Sequence, residues 1–238
     1  MKIAFLTTIS RKLSGKIIDS EPVGGTHSAM INLASELAKS NHEVFVFSNC
    51  LGEEGIYSNV KYLMSNKIIR FSKENDIDIL ICVASESALK ANIKAKKTIL
   101  WLHNDYSPYW NHELSDIASQ ISEYMTVKCD KVVTVSKWQS DIVKKTFLIP
   151  ENHIKIIANG INSELFEDHE HEKIIRSEKR LIYTTSPDRG LDLLLKFFPE
   201  IREKVPDVEL HIYSSFKTWG KNDSSYIEIE KEIFKNTD

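Results

Sequence analysis

The sequence predicts an α/β protein built on a doubly wound, mostly parallel sheet, and three observations carry that expectation. Short apolar runs recur along the chain with segments of helical spacing between them. The runs are continuous in apolar character, as in Ile77-Asp78-Ile79-Leu80-Ile81-Cys82-Val83. A strand reads this way when helices cover both faces of its sheet. After Gly160 the pattern breaks into a polar stretch and then restarts, which predicts a second unit.

The expected strands are Lys2–Thr8, Glu43–Ser48, Val60–Met64, Ile77–Val83, Thr98–Leu102, Lys131–Ser136 and Ile154–Ala158. Between them, Met30, Leu33, Ala34, Leu37 and Ala38 form one apolar stripe of a helix. A second helix is expected from about Glu113 to Met125, with Leu114, Ile117, Ile121 and Met125 inward. Ser136 is placed to cap a third, in which Trp138, Ile142 and Val143 face inward.

The domain reading is residues 1–161 for a first Rossmann-like domain, 162–179 for a linker and 180–238 for an incomplete second one. The second contains an expected strand Leu181–Thr185, helix Gly190–Val205 and strand Val208–Tyr213, then a helix near Ser225–Phe234. Pro199 is expected to kink or interrupt its helix, because the ring clashes with a straight helical interior. A domain of this class typically needs about 100–150 residues to cover both sheet faces. The second unit therefore leaves apolar surface for something else to cover.

Composition narrows the function. The chain has 238 residues, 42% of them hydrophobic, and a net charge of −3. It can bury a sizeable core, and no basic domain suggests nucleic-acid binding. The densest basic cluster, Lys94, Lys96 and Lys97, reads as a solvated surface. Cys50, Cys82 and Cys129 lie far apart with no CxxC pair, which gives no support to a zinc or redox site and fits a reducing compartment. The expected location is cytoplasmic, with peripheral membrane contact left open. His169 and His171 lie among acids in the linker and read as solvated.

Four segments carry chemistry. Gly24-Gly25-Thr26-His27-Ser28 opens a helix, where backbone N–H groups and the helix dipole favour an anion; a tight loop is the plainer reading. No GxGxxG or P-loop pattern is present. Trp101-Leu102-His103-Asn104-Asp105 ends a strand, the edge where open α/β sheets bind ligands; a structural loop histidine is the alternative. Asn159-Gly160-Ile161-Asn162 is a turn signal at the handover between units. Thr184-Thr185-Ser186-Pro187-Asp188-Arg189-Gly190-Leu191-Asp192 joins a strand to a helix and sets Arg189 at a helix start. Capping by Asp188 or Ser186 is its plainer reading.

Taken in order, these segments resemble the GT4-like retaining glycosyltransferases of the GT-B fold, over nearly the whole chain. Gly24-Gly25 matches the family's glycine loop, and His103 its histidine at the end of a middle strand. Val135-Ser136 and Asn159-Gly160-Ile161-Asn162 match its closing segment, and Arg189-Gly190 before Leu-Asp-Leu-Leu-Leu its basic-glycine turn. There are departures. The arginine that family members often carry falls at Thr184, and the aspartate of the closing segment is Asn162. The family's two glutamates seven residues apart have no counterpart, since Glu228 and Glu230 come too early in the fold.

The resemblance implies transfer of a sugar from a nucleoside-diphosphate-sugar to a hydroxyl of a glycan, lipid-linked or protein acceptor, with retention and without a metal or other cofactor. It implies His103 at the donor sugar as the catalytic position and Gly24, Gly25, Arg189 and Gly190 at the diphosphate. Thr26, Asn104, Asp105, Ser136 and Asn159 are substrate-contact candidates. The segments Ser10–Val23 and Tyr106–His112, with Tyr106, Tyr109 and Trp110, are the acceptor-side candidates. Two other readings stay open. One is a non-catalytic module whose second domain is completed by another chain; the other is a sugar-nucleotide epimerase.

Overall fold

The computed structural model describes residues 1–110, 114–161, 163 and 177–219. The chain divides into two compact units, Met1–Asn162 and Ser163–Asp238. Asn162, Glu113, most of the expected linker with His169 and His171, the expected helix at Ser225–Phe234, Glu228 and Glu230 lie outside the described residues.

The first unit is built from β1 (Lys2–Leu6), α1 (Gly25–Lys39), β2 (Glu43–Ser48), β3 (Gly55–Tyr57), β4 (Val60–Met64), α2 (Ile68–Glu74), β5 (Ile79–Val83), β6 (Lys97–Leu102), α3 (Ser115–Val127), β7 (Lys131–Thr134), α4 (Lys137–Phe147) and β8 (Ile154–Ile156). They form one sheet in the order β3-β4-β2-β1-β5-β6-β7-β8. Every neighbouring pair is parallel except β3 with β4. The chain winds outward from β1 through β2 to β4, then returns to β5 and winds the other way. The order thus reverses between β1 and β5, which opens a crevice at the carboxyl ends of those strands.

Alternate residues of each strand enter two cores, one on each face, as strand geometry requires. Ile3, Phe5, Val44, Val46, Trp101 and Val133 pack with Met30, Ile31 and Ala34 of α1. Ala4, Leu6, Phe45, Leu80, Cys82, Leu100 and Val132 pack with Met125, Val143 and Phe147 of α3 and α4. All three cysteines are free and buried.

The structure corrects several expectations. Strand β3 escapes the apolar pattern because it has three residues; it pairs antiparallel with β4 across Ser58 and Asn59, both at positive φ (48° and 62°). That geometry suits a two-residue hairpin. The seven-residue α2 is also new. Three helices keep their expected period but turn on their axes. Trp138 is 61% exposed, Ile117 48% and Leu33 38%. In α4 the inward place beside Ile142 and Val143 goes to Gln139 and Ser140, polar residues that an apolar count passes over. In α3 the small Ala118 packs inward instead of Ile117, and in α1 Ile31 does so instead of Leu33. The basic cluster is solvent-facing as expected, with Lys96 paired to Asp78 at 2.7 Å and Lys97 to Asp130 at 2.6 Å.

The segment from Thr7 to Val23 is fastened to the sheet. Ser48 Oγ donates to the Leu13 carbonyl (2.6 Å), Leu13 N–H to the Asn49 carbonyl (2.8 Å), and Ser14 Oγ to Glu53 (2.6 Å). Gly15 fits where no side chain can: an added Cβ would stand 2.5 Å from Tyr57 Cβ and 2.7 Å from Tyr62 Cε2. Tyr62 is fully buried and cannot retreat. Gly15→Ala is therefore expected to cost about 1–3 kcal/mol, the range for overpacking. Chemical denaturation of the two proteins checks this, and equal midpoints would contradict it.

The second unit contains a βαβ piece: β9 (Arg180–Tyr183), α5 (Leu191–Lys204) and β10 (Glu209–Ile212), with the strands parallel. Leu191 and Leu195 pack on Tyr183, Leu210 and Ile212. Helix α5 is continuous through Pro199, so of the expected kink or interruption the interruption does not occur. Its tertiary packing offsets the one hydrogen bond that the ring removes, from position 199 to the Leu195 carbonyl. Ile182 stays 61% exposed and Phe197 49%. Among the described residues no helix is long and apolar enough to cross a membrane.

Candidate functional site

The crevice between β1 and β5 gathers polar groups at the carboxyl edge of the sheet. Thr7 and Thr8 continue β1; the Thr7 N–H donates to the Phe47 carbonyl (3.0 Å), and the Thr8 and Ser85 hydroxyls share a 2.6 Å hydrogen bond across the crevice. Helix α1 starts at the same edge. Its N-cap is Gly24, whose carbonyl accepts the His27 and Ser28 N–H groups at 3.0 Å each. Gly24 has no side chain to bond the N–H groups of Gly25 and Thr26, and among the described residues there is no side-chain cap at this end and no acid in the first turn. A Cβ on Gly25 would meet nothing within 4 Å. The turn thus offers uncapped donors, the positive end of a 15-residue helix dipole and open space in front of them. These are the requirements of an anion site.

His103, just past the end of β6, belongs to the same edge. Its Nε2 is 3.1 Å from Asn159 Oδ1, so the structure brings together two residues that the sequence placed in separate segments. Its ring packs on Trp101, with centroids 4.6 Å apart. Burial pushes the His103 imidazole below the usual histidine range, opposed by the Asn159 hydrogen bond. Among the described residues, His103 Nδ1 and Trp101 Nε1 are buried without a hydrogen-bond partner. Such atoms call for a partner that the described residues do not provide.

Asn104 and Ser136 are joined through Gln139. This buried side chain accepts the Val135 N–H (2.8 Å) and donates to the Asn104 carbonyl (2.9 Å). Its backbone N–H donates to Ser136 Oγ (3.1 Å), which is the expected cap of α4. Asp105 folds its own turn, accepting from the Ser107 N–H and Oγ at 2.8 Å each. Tyr106 is buried, donates to Glu86 and packs edge-on to Phe147. Tyr109 packs there too, so both tyrosines belong to the core rather than to an open stacking surface. The Trp110 side chain lies outside the described residues.

In the second unit, β9 leads through Thr184 to Gly190 into α5. Neither Ser186 nor Asp188 caps this helix; its N-cap is Gly190, held at φ 90°. That left-handed backbone is available to glycine at no steric cost. Arg189 is exposed and precedes it, its N–H donating to the Ser186 carbonyl (3.1 Å). Thr26 stands in the first turn of α1 beside Gly25.

Three side chains of this edge were not candidates by themselves in the sequence: Gln139, Arg11 and His27. Arg11 sits in the segment after β1, donating to the Pro22 carbonyl (2.8 Å) and to Glu21 (3.0 Å). His27 Nε2 lies 3.4 Å from Thr7 Oγ1. Its imidazole is held below the usual histidine range by burial, then by the nearby His103 and Arg11. His27 lies in the Gly24–Ser28 segment and Arg11 in the Ser10–Val23 segment, but nothing in the sequence gave either side chain a role of its own.

The model of the family described as Glycosyltransferase Family 4 matches residues 23–165, more than half of the chain and including the Gly24-Gly25 turn, His103 and Asn159. The chain belongs to glycosyltransferase family 4. Solved structures agree in fold. Anabaena Alr3699/HepE in complex with UDP-glucose is similar over 99% of this chain and 66% of its own, at 14% identity and a TM-score of 0.62. The same Anabaena protein in complex with UDP is similar over 99% and 66%, at 16% identity and a TM-score of 0.59. A glycosyltransferase from Rickettsia africae ESF-5 is similar over 99% and 64%, at 13% identity and a TM-score of 0.63. The chain therefore spans about two thirds of the length of these structures. No curated protein matches it. The fold is α/β of the GT-B type, as the sequence predicted.

Proposed function

We propose that this family 4 chain serves transfer of a sugar from a nucleoside-diphosphate-sugar to a hydroxyl of a glycan, lipid-linked or protein acceptor, with retention of configuration. The observation that carries the proposal is the uncapped α1 N-terminus at the switch point, open in front of Gly25. A departing diphosphate gathers negative charge, and preoriented N–H donors in place before the reaction stabilise it. Gly24, Gly25, Arg189 and Gly190 are the proposed diphosphate ligands, and His103 the proposed catalytic contact to the donor sugar. Backbone donors and arginine meet the charge in this scheme, so no metal ion is needed. Thr26, Asn104, Asp105, Ser136 and Asn159 are retained as proposed substrate contacts, with Asp105 and Ser136 also fixing their own turns. The proposed location is cytoplasmic, with peripheral membrane contact left open.

The test is a thermal-shift screen of nucleoside diphosphates and their sugars with EDTA throughout. UDP and UDP-glucose lead it, because the Anabaena structures contain them. A bound donor at a hundred times its Kd adds about 2.7 kcal/mol of stability. No stabilisation by any nucleotide would overturn the proposal. Gly25→Val sharpens the test. The fold has room for the side chain, so stability should hold, while the open approach closes and nucleotide affinity falls about fivefold. Equal affinity of the two proteins in a calorimetric titration would remove Gly25 from the site.

A second reading is favoured by the exposure of Ile182 and Phe197 in the second unit. Parallel strands are ordinarily buried on both faces. On this reading a second chain completes the unit, and the protein acts as a partner-binding module. Sedimentation would then show a complex with the partner, and an activity assay would show no turnover by this chain alone.

A further inference from the structure

We propose that His27 is a further contact to the donor diphosphate and that it takes up one proton from solvent when a nucleoside diphosphate binds at the Gly24-Gly25 turn. The inference rests on the donor-site reading above and adds a residue and a regulation to it. Gly25 and Thr26 precede His27 in the first turn of α1, so its side chain stands on the turn whose N–H groups are uncapped. Its Nε2 reaches Thr7 Oγ1 (3.4 Å), a neutral contact on the chain leaving β1.

The groups that act on His27 come from two other elements: His103 at the end of β6 and Arg11 in the segment after β1. No carboxylate is among them; Glu21 neutralises part of the Arg11 charge from the exposed side. The positive end of the α1 dipole acts in the same direction as these neighbours. In the free protein every influence therefore favours the neutral ring. A diphosphate reverses the field, because its negative charge favours imidazolium and an N–H donor toward phosphate oxygen.

The sign follows from linkage. His27 has a lowered pKa in the free protein and a higher one in the complex, so affinity is constant below the free value. It then falls as pH rises between the two, approaching tenfold per pH unit. The ligand's terminal phosphate, with a second pKa near about 6, gives the opposite trend and is already ionised above pH 7.5.

The experiment is calorimetric titration with UDP, or whichever nucleoside diphosphate the screen selects, from pH 7.5 to 8.5 in buffers of different ionisation enthalpy. Wild type should show proton uptake and falling affinity. His27→Gln should show neither, whereas His103→Gln should keep the proton uptake even where its affinity changes. Uptake that survives His27→Gln, or that disappears only in His103→Gln, overturns the role of His27 and leaves the donor site standing. Absence of nucleotide binding to wild type overturns the donor site and this inference together. An NMR titration of the His27 Cε1–H in wild type, with and without nucleotide, gives a readout free of substitution. An upward pKa shift on binding is expected, and an unchanged pKa refutes the proposal.

Discussion

Gln139→Ala is expected to lower the unfolding free energy by about 3 kcal/mol, and the thermal midpoint by roughly 6–12 °C at about 2–4 °C per kcal/mol for a unit of this size. The amide is buried and bonded at both ends, to the Val135 N–H and the Asn104 carbonyl. Alanine leaves both backbone groups unpaired, and each such group costs about 1–3 kcal/mol. The effect also reaches the site, because Asn104 follows His103 directly and loses its tie to α4. A differential scan of both proteins measures this; a midpoint shift under about 2 °C would mean that water takes over both bonds.

Arg189→Ala is expected to weaken nucleotide binding by about 1.5–3 kcal/mol, the range for a hydrogen bond to a charged group, and so roughly 10- to 150-fold. The residue is exposed and sits immediately before the left-handed Gly190. Its removal should leave stability within about 0.5 kcal/mol, as is usual for surface positions. Arg189→Lys keeps the charge without the planar fork, so an intermediate loss is expected. Unchanged affinity in the alanine protein would end the assignment. The contrast between the two predictions is physical: one is read in the stability of the first unit, the other in affinity for an anion.

The accuracy of the sequence reading varied with the range of the signal. Glu43–Ser48 and Val60–Met64 match their strands to the residue, because a short run rich in apolar residues is a local pattern. Ser136 was legible as a cap, because the cap bonds a backbone group three residues away in the chain. The helical stripes were legible in period but not in rotation. Trp138, Ile117 and Leu33 face outward because neighbouring elements, not the helix's own sequence, decide which side is inside. Gly15 looked like any loop glycine until Tyr57 and Tyr62 closed on it from more than forty residues away.

The site divides in the same way. His103, Asn159 and Gly24-Gly25 could be named from the sequence, since each ends a strand or opens a helix. That His103 bonds Asn159, 56 positions later, was decided only when β6, β7 and β8 lined up in parallel. The gathering of His27, His103 and Arg11 follows from the reversal of strand order between β1 and β5, and the insertion of Gln139 between two loops from the parallel pairing of β6 with β7. By itself the sequence determined the elements, their alternation and the residue types at their ends, because propensity, capping and apolar period act over a few residues. Only the tertiary structure decided which ends meet and which side chains lose water there, because burial and electrostatic coupling depend on distance in space.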